Sequence, residues 1–251
     1  MHCMHCMQRQ ISPAPFYTWQ MEVSSSRVLM HGEARQLRHR DAAYLAVKRA
    51  ILSGQFPAGA SLGEESLAQA LKISRTPIRE SLAILEHEGF IAPAPGRGLC
   101  VRKMSRKEFL SICEAGEMID PYLAGRAAEL ITPARAMAIE CVLDAGDQAI
   151  AAQELHEALS ALREFHRLVG LASSNAPLAE FILKNEERAD FYLVSKSAPV
   201  KSENLAISSQ EHREVYEAIL HRKPPMAARA MTKHARSLRL RFAELFEEKE
   251  E

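Results

Sequence analysis

Aromatic residues make up only 6% of the 251 residues, with a single tryptophan, and no uninterrupted apolar run approaches the ~18 residues that a membrane span requires. The first 30 residues lack an apolar signal core, so the chain is expected to remain in the cytoplasm, without a membrane partner. Five cysteines, an odd number, show no framework spacing, and Cys3, Cys6, Cys100, Cys113 and Cys141 are expected as thiols. No Gly-rich phosphate loop occurs, and His156-Glu157 lacks the second histidine of a zinc-protease helix. With 11 Gly and 12 Pro the composition is that of an ordinary soluble chain, neither collagen-like nor disordered.

Net charge is also absent, but its zero conceals a division. Residues 1–106 hold 14 Lys and Arg against 8 Asp and Glu, and residues 107–251 hold 18 against 24. A basic front and an acidic rear suggest an anionic polymer as partner at one end and a different task at the other. The length allows two small domains, each with its own core.

Residues 1–40 lack steady periodicity and read as a flexible arm, with Met21 or Met30 as possible starts of translation. Cys3-x-x-Cys6 with His2 and His5 has two cysteines but no second ligand pair nearby, which argues against a metal site there. From Asp41 to Leu52, Ala43, Tyr44, Val47 and Ile51 recur at helical spacing until Ser53-Gly54. Glu64 to Leu71 repeats the pattern. Ser74 is a start signal whose hydroxyl can cap a third helix, Pro77 fits its first turn, and Gly89 stops it. Phe90 to Ala94, the Pro95-Gly96-Arg97-Gly98 turn and Leu99 to Lys103 read as a hairpin. From Ser105 onward only helical patterns occur, about six, punctuated at Thr132-Pro133, Asn175-Ala176-Pro177, Ser197 to Pro199 and Pro224-Pro225.

The expected fold is therefore mainly α. A winged helix-turn-helix with a small β-hairpin wing spans 41–104, an all-helical effector-binding and dimerisation bundle spans 105–246, and a charged tail occupies 247–251. In such a front domain the helix after the turn enters the major groove. Arg75 and Arg79, four residues apart, leave one face at its start beside Ser74 and Thr76, and a guanidinium pairs with guanine O6 and N7 in a bidentate manner. Gly96-Arg97-Gly98 at the wing tip is narrow enough to lie against a phosphate or a groove.

At these residues the sequence resembles the GntR family of bacterial transcription regulators. The likeness runs through Ile51-Leu52-Ser53-Gly54, Pro57-Ala58-Gly59, Leu62-Gly63-Glu64, Leu67-Ala68 and Ser74-Arg75-Thr76-Pro77-Ile78-Arg79-Glu80-Ser81-Leu82 to Gly89-Phe90-Ile91. It implies that Arg75, Thr76 and Arg79 contact operator DNA and that the Gly96 to Gly98 tip reaches the minor groove. Where the family often carries a phosphate-contacting arginine, Glu65 stands here.

In the rear half, His212 and His234 flank Pro224-Pro225 at 12 and 10 residues. At roughly 18 and 15 Å of helix on either side, an antiparallel pair brings both imidazoles to one level. With His166 from another helix they can share Zn, Ni or a similar ion and leave positions for a ligand's carboxylate; the alternative is three ordinary hydrogen-bonded histidines. Glu164-Phe165-His166-Arg167, Ser174 to Leu178, Glu211-His212 and Ala230-Met231 with His234 resemble the FCD ligand-binding domain of the FadR subfamily, over residues 107–246. The resemblance implies three histidines plus an acidic ligand four positions before the first, where Leu162 stands, and an early arginine where Gly116 and Glu117 stand. A three-histidine, weak or empty site and an unusual effector are therefore expected.

The expected function is a non-enzymatic, homodimeric transcription regulator on a near-palindromic DNA operator, controlled by a small-molecule effector such as an organic acid, with or without a metal. A metal-free helical dimerisation module is the alternative. Gly59-Ala60-Ser61-Leu62-Gly63 spells a nucleophile elbow, but it lies between two helices and not after a buried strand, so a hydrolase using Ser61 is remote.

Overall fold

The computed structural model describes residues 30–195 and 200–244, which form nine helices and one two-stranded antiparallel sheet. The front part contains α1 (Met30–Leu52), α2 (Glu64–Leu71), α3 (Arg75–His87), β1 (Ile91–Ala94) and β2 (Gly98–Val101). Val47, Ile51, Leu67, Ile78, Leu82 and Leu85 are buried together, so the apolar stripes of the three helices do meet in one core. Gly89, at φ +82°, ends α3 in a conformation that a side chain would strain. The strands pair Ile91 with Val101 and Ala94 with Gly98. Each is one residue shorter than the sequence pattern: β1 begins after Phe90, and β2 is shifted to begin at Gly98 and end at Val101, with the Arg102 amide still donating to the Phe90 carbonyl at 2.9 Å.

Two expectations change here. Residues 30–40 are not part of an arm but the first three turns of α1; their run of Glu, Ala, Arg, Gln and Leu carries helix propensity without an apolar period. The expected arm from 1 to 29, with Cys3 and Cys6, lies outside the described residues, as does the 247–251 tail. Ser74 is the N-cap of α3, but its hydroxyl makes no capping bond.

The rear part is the bundle of α4 (Arg106–Leu130), α5 (Pro133–Ala151), α6 (Leu155–Ala172), α7 (Ala176–Ser195), α8 (Ser202–Leu220) and α9 (Pro224–Glu244). Prolines and caps set their starts. Ser105 and Glu108 form a reciprocal capping box on α4, Thr132 caps α5 ahead of Pro133, and the Asn175 side chain accepts from the Leu178 amide at 3.2 Å. Helix α4 packs on α9, α7 and α6 and forms the spine of the bundle. Cys100, Cys113 and Cys141 remain as thiols and form no disulfide with one another.

The two parts are not separate globules, because one apolar core contains Leu85 and Phe90 of the front together with Phe109, Tyr192 and Phe242 of the rear. Phe90 meets Phe191 edge to face at 5.4 Å. At the junction the buried Lys48 ammonium of α1 lies 2.7 Å from Glu187 on α7 and 3.1 Å from Glu88, which follows α3. The Tyr44 hydroxyl donates to Glu88, and Arg188 donates to the Glu88 carbonyl at 3.2 Å. Removing the ammonium would leave two carboxylates facing each other in a poorly hydrated seam. Lys48→Ala is expected to lower stability by about 3 kcal/mol, read from the urea midpoint at constant slope. Lys48→Met, which keeps the length of the side chain and removes only its charge, is expected to cost nearly as much in the same measurement, because the seam needs the charge more than the packing.

Candidate DNA interface and metal centre

Helix α3 buries Pro77, Ile78, Ser81, Leu82 and Leu85, which turns Arg75, Thr76 and Arg79 outward. All three, with Ser74, are exposed at its N-terminal end. The turn from α2 to α3 passes through Lys72 in the left-handed region, at φ +55°. The two arginines are exposed yet not unpaired. Arg79 Nε and Nη2 donate to the two carboxylate oxygens of Glu64 at 3.0 and 2.9 Å, and Arg75 lies 3.7 Å from the same group. The Arg79 hydrogen bond, aided by both positive charges, holds the Glu64 carboxyl below its ordinary range. Sequence reasoning missed this contact because it joins two helices fifteen residues apart.

The wing tip projects Gly96, Arg97 and Gly98, all exposed. Both glycines have positive φ, +70° and +71°, and the Arg97 amide closes the turn on the Ala94 carbonyl at 3.0 Å. Ser61, the serine of the elbow-like pattern, donates to the Arg97 carbonyl at 2.9 Å and so braces the wing.

In the bundle, His166 on α6, His212 on α8 and His234 on α9 are all buried, and they converge. His212 Nε2 lies 3.1 Å from Nε2 of both His166 and His234. The Pro224 break does place His212 and His234 level across an antiparallel pair. Phe165 stacks on the His212 ring at 4.1 Å and fixes its plane. On the outer side, the Glu211 carboxylate sits 3.0 Å from His234 Nδ1 and is itself held by Arg241. That contact keeps the proton on Nδ1 and turns the Nε2 lone pair inward. Burial, joined by the neighbouring imidazoles and Arg241, holds His212 neutral, well below the ordinary histidine range.

One nitrogen with a single lone pair or a single proton cannot satisfy two partners at 3.1 Å. Nitrogens bound ~2.0–2.1 Å from one ion, by contrast, lie about 3 Å apart. The residues thus fit a divalent transition metal. The expected absence of an acid next to His166 is corrected. Leu162 packs in the apolar core, but Asp120 of α4 places Oδ2 3.5 Å from His166 Nδ1. Asp120 is buried on the same stripe as Gly116, Leu123, Ala124 and Ala127, and a lone acid on an apolar helix face was the signal available in the sequence.

Asp120, His166 and His234 also line a small cavity of about 30 Å³ with Asn185 and Glu186 of α7. Gly116 keeps it open, since a Cβ there would stand 3.4 Å from Asp120. Burial pulls His166 down, but Glu186, Asp120 and Asp190 outweigh it and carry the imidazole up to about 9. Burial pushes Asp190 up to about 7 despite its ion pair with Arg163. No lysine or arginine lines the cavity among the described residues.

Comparison with known proteins bears on both sites. Residues 39–101 match the family of bacterial regulatory proteins, gntR family, and residues 111–237 match the FCD domain. An HTH-type transcriptional regulator from the TAR-I ttuE-ttuC' intergenic region of Agrobacterium vitis is 30% identical over 116 residues, 46% of this chain and 68% of that protein. The HTH-type transcriptional repressor RspR of Escherichia coli K12 is 24% identical over 199 residues, 78% of this chain and 85% of the repressor. In fold, E. coli McbR/YncC superposes with a TM-score of 0.71 at 18% identity, covering 82% of this chain and 96% of that one. Among the described residues no helix is long and apolar enough to cross a membrane. With a winged helix-turn-helix in front and an FCD domain behind, the chain belongs to the GntR family, FadR subfamily, and is a DNA-binding transcription regulator, not an enzyme.

Proposed function

We propose that this regulator reads a near-palindromic operator as a homodimer, with Ser74, Arg75, Thr76 and Arg79 at base edges in the major groove and Gly96, Arg97 and Gly98 at the minor groove. The carrying observation is the exposure of both guanidiniums at the open end of α3, each with donors left over for a base. Met118 and Tyr122, one turn apart on α4 and 81% and 50% exposed, form an apolar surface suited to a second copy.

In the rear domain, His166, His212 and His234 hold a divalent ion such as Zn or Ni, and Asp120 and Glu211 orient two of the rings from behind. The ion supplies a Lewis-acid docking point for the carboxylate of a small organic acid. Because no lysine or arginine lines the cavity, an acid finds no permanent side-chain counter-charge there, while Asp120, Asn185 and Glu186 accept hydrogen bonds from its hydroxyl or amino groups.

Helix α7 links ligand to operator. Asn185 and Glu186 line the cavity, and the next two residues, Glu187 and Arg188, grip Lys48 and the Glu88 carbonyl directly after α3. An effector that displaces α7 shifts the seat of the reading helix, and so changes operator affinity to the extent that it binds the two arrangements unequally.

In gel-shift titrations of the upstream region, Arg75→Ala with Arg79→Ala should reduce specific binding to the level of unrelated DNA; unchanged binding refutes the base-contact assignment. Elemental analysis of purified protein should find close to one transition-metal ion per chain, lost in His212→Ala and in His234→Ala. A wild type without metal points instead to a metal-free helical dimerisation module. With metal bound, a small carboxylate ligand should raise the melting temperature, and after chelation it should not.

A further inference from the structure

We infer that Glu64 determines the base specificity of this regulator, by holding Arg79 and Arg75 in a shared fork and by keeping phosphate away from the start of α3. The inference rests on the proposal that these arginines face base edges.

A guanidinium carries five N–H donors in a rigid plane. Glu64 engages the Nε edge of Arg79 with two of them, at 3.0 and 2.9 Å, which leaves the outer edge of the same plane to meet guanine O6 and N7. The side chain is thereby fixed in rotation before DNA arrives, and a fixed plane discriminates among bases where a free one would settle on any nearby oxygen. Arg75, 3.7 Å from the same carboxylate, is drawn toward the same position.

Charge works in the same direction. Glu64 and Glu65 both occupy the first turn of α2, where unpaired backbone amides would otherwise attract a phosphate. Glu64 remains partly exposed, with 27% of its side chain reached by solvent, so its charge is felt at the DNA surface. A phosphate approaching either arginine meets the carboxylate beside it, whereas the uncharged edge of a guanine, with only partial negative charge on O6 and N7, is repelled far less. Affinity for DNA without the operator sequence is thus held low, and the two arginines contribute through bases and not through backbone charge.

The test uses the full-length protein, an operator duplex selected by wild type from a random pool, and a scrambled duplex of the same length. Fluorescence anisotropy across a salt series gives both affinities and their salt slopes. Glu64→Gln keeps the shape and removes the charge. It should bind the scrambled duplex several-fold more tightly, steepen its logarithmic salt slope by about one, and lower the operator-to-scrambled ratio by roughly tenfold. Glu64→Ala, which removes both the fork and the charge, should lower the ratio at least as far. An unchanged ratio in both variants overturns the inference, at whatever overall affinity. Arg79→Ala separates the two ideas: if it too leaves the ratio unchanged, the base-contact proposal itself has failed, and if it collapses the ratio while both Glu64 variants keep theirs, only the role of Glu64 is lost.

Discussion

Burial of α7 between the winged domain and the helical bundle is the constraint on which the rest of the molecule depends. Tyr192 stacks on Phe109 of α4 at 4.4 Å, while Phe191, one residue earlier, meets Phe90 at the start of the wing. Successive residues of one helix therefore pack in both parts of the chain, and the apolar surface of each part is completed by the other. Burying charge in such a seam is costly unless it is matched. Lys48 is matched by two carboxylates, one from each side, so the seam has a preferred register and not merely an affinity.

That register ties together the two sites. Glu88, gripped by Lys48, Tyr44 and Arg188, directly follows the helix that carries Arg75 and Arg79. Asn185 and Glu186, just ahead of Glu187, line the cavity beside the histidines. Side chains at these neighbouring positions leave a helix in different directions, which allows one rigid element to face the cavity and the winged domain together. No long chain of contacts is needed between them.

The two sites use electrostatics in opposite ways. At the exposed start of α3, Glu64 shares a solvated carboxylate between two cations, where water screens the interaction and exchange for another partner is easy. In the bundle, the three imidazoles are buried, and Asp120 and Glu211 stand directly behind two of them, Glu211 itself held by Arg241. A reversible surface contact suits recognition of a polymer, and a dry, acid-backed set of lone pairs suits a tightly held cation.

Much of this is legible from residue order. Helical spacing, glycine stops and proline starts place the helix-turn-helix, the wing and the six-helix rear bundle, because these are local signals that depend on a few neighbouring residues. The distance of His212 and His234 from Pro224 foretells that they meet, since a proline-initiated antiparallel pair has fixed geometry. Residues 30–40 escape such a reading because propensity alone, without an apolar stripe, extends α1 there. Asp120, Glu186 and Glu64 come to face the candidate site residues only through tertiary structure. Each acts on a partner from another helix, and which helix faces stand opposite one another is decided by the packing of whole apolar surfaces, a sum over many side chains that no short stretch of sequence contains.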